Sequence, residues 1–141
     1  MDVYKAPESD VSMEAKRPFR PIRGLFFGLV VFIALAMFFA RVVQPFFLSL
    51  GINIDKFYLA VEFPFSMLSI FLASRTAVKR APGKEIVYGL VFAVILVLFF
   101  SCLLIVYGGF SVLPLWYSVA FIPSLLLAVL LGAKSVKAIK V

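Results

Sequence analysis

The chain has 141 residues, of which 64% are hydrophobic, and a mean hydropathy of +1.11. A soluble domain holds about half its residues apolar, so this composition excludes one and points to a membrane protein. The formal charge of +7 would indicate nucleic-acid binding in a soluble chain, but here the positions of the charges account for it and no nucleic-acid partner is expected. There are no histidines, which removes the usual proton shuttle and the commonest metal ligand. Cys102 is the single cysteine, so no intramolecular disulfide can form, and it reads as a small apolar residue.

Residues 1–23 are polar, carry Pro7, Pro18 and Pro21, and are too poor in apolar surface to fold alone, so they read as a flexible cytoplasmic tail. Four apolar stretches follow, at about residues 24–43, 57–74, 86–107 and 115–133, each able to cross a hydrocarbon core that needs about 20 helical residues. The fold expected is an all-α membrane protein, a four-transmembrane-helix bundle, with a basic cytoplasmic C-terminus at 134–141. Arg17, Arg20 and Arg23 precede a run containing Ala34-Leu35-Ala36, the outline of a signal peptide. The run continues past that point through Met37-Phe38-Phe39, so a retained anchor is expected.

Between the first two spans, residues 44–55 read as an outer loop from Pro45, Gly51 and Asn53, with Phe46-Phe47-Leu48 lying in the interface. Tyr58, Tyr107, Trp116 and Tyr117 mark the outer boundary and Tyr88 the inner one. The basic residues sort by side. The tail carries Lys5, Lys16, Arg17, Arg20 and Arg23, the middle loop Arg75, Lys79, Arg80 and Lys84, and the C-terminus Lys134, Lys137 and Lys140, leaving only Arg41 and Lys56 opposite. By the positive-inside rule both termini are cytoplasmic. The middle-loop group is also placed to contact anionic lipid headgroups.

A shift of 59 positions aligns Gly24 with Gly83, Pro64 with Pro123, Arg75 with Lys134 and Thr76 with Ser135. Two readings stand: two tandem parallel helical hairpins, or the resemblance any two consecutive hairpins share. Each span carries two small residues four apart: Gly24 and Gly28, Ser69 and Ala73, Gly89 and Ala93, Ala128 and Gly132. All lie toward the basic end, where close helix packing is expected, with Phe-rich packing at the other end.

Glu62 is the acidic residue well inside a span, where a charge costs at least ~2.5 kcal/mol at the bilayer centre, so it needs a reason. An ion pair with Arg41 is the structural reading, an ion or proton site the functional one, and snorkelling toward water the third. Pro64 frees the carbonyl of Ala60, and with Ser66 and Ser69 the segment outlines a cation site in an interrupted helix. Pro123 reads as a simple kink.

The tail segment Tyr4-Lys5-Ala6-Pro7-Glu8-Ser9-Asp10 resembles the Y-x-A-P-x-S-D opening of many small, mostly uncharacterised four-helix inner-membrane proteins of Gram-negative bacteria. The resemblance implies a bacterial inner-membrane location with this tail in the cytoplasm, and no activity. In size the chain is also similar to small multidrug resistance transporters, whose membrane glutamate lies in the first helix, whereas Glu62 is in the second. No nucleophile-base pair, phosphate loop or cofactor motif is visible, so a non-enzymatic protein without cofactors is expected. Its expected partners are the bilayer and either another membrane protein or further copies of itself, as an accessory, assembly or regulatory component. The alternative is a small oligomeric transporter or channel using Glu62.

Overall fold

The computed structural model describes residues 19–52, 54–108 and 113–138, with 54–58 and 137–138 as backbone only. The Tyr4–Asp10 segment, Lys5, Lys16, Arg17 and Lys140 lie outside the described residues. The described chain is helical: α1 Pro21–Phe38, a π-helical turn Phe39–Val43, α2 Gln44–Ser49, α3 Ile54–Val78, α4 Glu85–Val106 and α5 Leu115–Ala138. Four helices are long and apolar enough to cross a membrane. Their outward faces are apolar, with Met37, Val94, Leu98, Val119 and Leu127 exposed, as lipid-facing surfaces require.

The first span is longer than its apolar stretch implies. Pro21 occupies the first turn of α1, where its missing amide costs nothing, so the helix begins three residues before Gly24. At its far end the expected loop from Gln44 is instead helix, and Pro21–Ser49 runs as one 29-residue rod. The π-helical turn makes this continuity possible. Pro45 has no amide to donate and its ring would crowd the carbonyl of Arg41 in a regular helix. Widening the turn before it, with the Gln44 amide bonded to the Phe39 carbonyl five residues back, lets the chain pass.

α3 and α5 also outrun their expected ends at 74 and 133. Ala77 and Val78 are buried, as are Ala133 and Val136, so the helices keep packing beyond the point where lysine and arginine appear. Lys79 and Lys134 are exposed there while the backbone stays helical or just leaves the helix, as long basic side chains allow. Under the 59-residue shift the ends of α3 and α5 agree to within two residues, and each helix carries its proline in its first half. The glycines do not correspond: Gly24 is buried inside α1, whereas Gly83 makes the turn before α4 at φ 84.

α3 is the central helix, flanked by α1 on one side and α5 on the other, with α4 against α5. The start of α1, the end of α3, the start of α4 and the end of α5 share one end of the bundle. There the packing is close. A Cβ on Gly24 would fall on the carbonyl oxygen of Ala77, and one on Gly28 would lie 2.6 Å from the Ala77 Cβ. Across the other face of α3, a Cβ on Gly132 would lie 2.6 Å from the Phe71 carbonyl oxygen, and Ser74 Oγ donates to the Val129 carbonyl at 2.8 Å. Gly89 faces Ala133 at a looser 3.1 Å. Ser69, Ala73, Ala93 and Ala128 are all buried, so the residues of the small pairs sit inside the bundle. The segment before α1 docks on the middle loop through the Arg20 amide and the Arg80 carbonyl, 3.0 Å apart.

The other half is packed with rings. Phe63 of α3 meets Tyr117 of α5 edge-on at 5.7 Å; Tyr117 stacks on Phe121 at 5.5 Å; Phe121 meets Phe100 of α4 at 4.8 Å; and Phe100 meets Phe32 of α1 at 5.5 Å. These ring contacts, edge-to-face between helices and stacked within α5, join all four spans. Bulky rings hold helices apart where glycines draw them together, and so α1 and α4 leave a cleft between them.

Candidate functional site

Glu62 lies eight residues into α3, about 12 Å along the helix from its start at Ile54. Ser66, one turn later on the same face, donates to Glu62 Oε1 at 2.5 Å. Tyr117, in the first turn of α5, donates its hydroxyl to Glu62 Oε2 at 2.6 Å. The two hydroxyls thus bind the two oxygens of one carboxyl group. Tyr117 is set in place by local structure: the Pro114 carbonyl accepts its amide at 3.0 Å as α5 begins, and its ring is held between Phe63 and Phe121.

The expected ion pair is not formed. Arg41 sits exposed in the π-helical turn, and among the described residues no ion pair joins it to Glu62. Phe39 and Ala40 of this turn line the cleft beside Glu62, and Arg41, the next residue, does not. A neutral partner 55 positions away replaces the charged one. Sequence reasoning placed Tyr117 at the membrane boundary as an interfacial aromatic, and missed its pairing because nothing in the chain says that α5 packs on α3.

Glu62 lies on the wall of a cleft of about 560 Å³ between α1, α3 and α4. Phe32 and Met37 line it from α1 and Phe39 from the π-helical turn, Phe65, Ser66 and Ser69 from α3, and Phe99, Phe100 and Leu103 from α4, with Tyr107 just after that helix. The surface is aromatic and apolar with one carboxylate. Ser69 Oγ donates to the Phe65 carbonyl at 2.8 Å, which leaves it an acceptor toward the cleft but commits its proton to its own helix. Pro64 is exposed two residues after Glu62, and Pro123 is exposed in α5; each lies within a continuous helix.

A second acid, Glu85, is buried in the first turn of α4, 4% exposed. The positive end of the helix dipole favours a carboxylate there. In the sequence Glu85 looks like the edge of a basic loop, and no signal marks it as buried. The four basic residues of that loop divide into two pairs. Arg80 lies 4.5 Å over the Phe27 ring and Lys84 5.9 Å over Phe19, whereas Arg75 and Lys79 line a groove between α1 and α3.

Among the described residues, no group of three His, Cys, Asp or Glu side chains could hold a metal ion. Comparison with protein-family models, curated proteins and solved structures finds no match for this chain.

Proposed function

We propose that this chain is a non-enzymatic, multi-pass protein of a bacterial inner membrane, with cytoplasmic termini. In this reading it acts by binding a membrane-spanning segment of another protein or of a second copy. The observation that carries it is the cleft between α1 and α4, an aromatic surface at bilayer depth that the chain's own helices leave open. Within lipid, such a surface gains by close packing with another helix, and a lone carboxylate with hydroxyl partners offers that helix a hydrogen-bonding anchor. The matching ends and prolines of α3 and α5 support reading the bundle as two tandem hairpins, with the long first helix as the later departure.

A photo-cross-linking residue at Met37, which is exposed and lines the cleft, tests the proposal in intact membranes. A cross-link to a defined protein, or to the chain itself, is expected. Adducts with lipid alone would overturn it.

One observation favours a second reading: Glu62 is not neutralised by Arg41 and faces the cleft. A carboxyl group held by two hydroxyls and, among the described residues, by no cation suits a proton- or cation-coupled carrier. Uptake into reconstituted vesicles that depends on a pH gradient and disappears with Glu62→Gln would establish that reading. Absence of any gradient-dependent flux would remove it.

A further inference from the structure

The groove between α1 and α3 opens on the flank of their glycine crossing, near the basic end, and encloses about 480 Å³. One wall is Val31, Ala34 and Leu35, a single face of α1 at i, i+3 and i+4. The other is Leu72, Arg75, Thr76 and Lys79, a single face of α3 in the same way. The α1 wall is apolar throughout, and the α3 wall runs from apolar Leu72 to cationic Arg75 and Lys79 toward the basic end of the bundle. Thr76 donates to the Leu72 carbonyl at 2.9 Å, so its hydroxyl proton is satisfied within the helix. No carboxylate is among the described residues that line the groove, and Arg75 and Lys79 make no ion pair among the described residues.

We infer that this groove is a binding site for one anionic glycerophospholipid. Its phosphate is held by the Arg75 guanidinium and the Lys79 ammonium, one turn apart, and an acyl chain runs past Leu72 between Leu35 and Val31. Guanidinium presents paired N–H donors to phosphate oxygens, and lysine adds a flexible point charge at the rim. Arg80 and Lys84 are set apart by their engagement with Phe27 and Phe19, so the site draws on two of the four loop cations. The assignment is independent of the cleft that holds Glu62.

The test uses the full chain in mild detergent, with phosphatidylglycerol or phosphatidylcholine added. Bound lipid is counted by native mass spectrometry, and thermal unfolding is followed in parallel. Phosphatidylglycerol should be retained and should raise the melting temperature. Each basic residue near an anionic lipid is worth about fivefold in affinity, so Arg75→Gln with Lys79→Gln should lower the preference over phosphatidylcholine by about 30-fold. Lys79→Gln alone, at an exposed position, should lower it by about fivefold and guards against misfolding of the double variant. Arg80→Gln with Lys84→Gln should leave the preference nearly unchanged. Ala34→Trp fills the apolar wall without altering charge and should expel the lipid, while glycerol phosphate, which has no acyl chains, should neither stabilise nor compete. Equal retention of the two lipids would overturn the site. So would an equal loss in the Arg80 and Lys84 variant, which means diffuse surface attraction, or competition by glycerol phosphate, which means a phosphate site without a lipid groove.

Discussion

Replacing Gly28 by alanine pits two effects of known size against each other. In a helix, glycine to alanine gains up to about 1 kcal/mol from reduced backbone freedom in the unfolded chain. At Gly28 the added methyl would lie 2.6 Å from the Ala77 Cβ and 2.9 Å from the Ala73 carbonyl oxygen. Carbon atoms rest at about 3.5 to 4.0 Å, so α1 and α3 must separate by about 1 Å. Overpacking of this kind costs about 1–3 kcal/mol, and a gap of that width also forfeits a quarter to a half of the dispersion energy of contacts along the crossing. The clash wins, and a net loss of about 1–2 kcal/mol is expected. Gly89 is the internal control. Its nearest neighbour is the Ala133 Cβ at 3.1 Å, then Val129 Cγ1 at 3.7 Å, so a few tenths of an ångström of movement suffices and Gly89→Ala should be close to neutral. Denaturant titration of the purified protein in micelles, or thermal unfolding followed by circular dichroism, measures the difference directly. Gly132→Ala should behave like Gly28→Ala, because its methyl would meet the Phe71 carbonyl oxygen at 2.6 Å. Equal midpoints for the Gly28 and Gly89 variants would refute the assignment of the α1–α3 crossing as tighter than that of α4 and α5.

A double-mutant cycle of Glu62→Met with Tyr117→Phe should give a coupling of about 1 kcal/mol, in the upper range for hydrogen bonds between membrane helices, since the acceptor is a carboxylate. The cycle of Glu62→Met with Arg41→Met should be additive within about 0.5 kcal/mol, and coupling there would reinstate the ion pair. For topology, in a Cys102→Ser background, Ser49→Cys should react with an impermeant maleimide applied to intact cells and Lys84→Cys should not, since these exposed positions lie at opposite ends of the bundle. The reverse pattern would invert the proposed orientation.

The sequence legibly encodes what depends on one helix at a time. Long apolar stretches set the number and approximate place of the spans, and spacing by four marked Gly24, Gly28 and Gly132 as packing residues before any partner was visible. What it leaves open depends on which helices are neighbours. Ser74 finds the Val129 carbonyl, and Glu62 finds Tyr117, each across 55 positions, because α3 is central and α5 lies along it. No local pattern carries that choice. Helix ends were obscured for a different reason. Arg75 and Lys134 look like stops in a hydropathy profile, yet a long side chain can leave the membrane while its backbone stays within it. Pro45 misled in the same way: it signals a break only when the turn before it is regular, and the π-helical turn is not.

The two halves of the bundle therefore differ in kind. At the basic end, glycine, alanine and serine bring backbones together and leave no room for a ligand between α1 and α3 except on the flank. At the other end, phenylalanine rings keep α1 and α4 apart, and the space they leave is the cleft with Glu62 on its wall. Tightening that half, for instance by shrinking Phe100 and Phe32 together, would let α1 approach α4 and close the cleft without touching the carboxylate. The acidic group and the open space are thus separate features of the sequence, the first set by Glu62 and Tyr117 and the second by ring volume. A role that needs both must be sensitive to ring size at positions that do not hydrogen-bond Glu62.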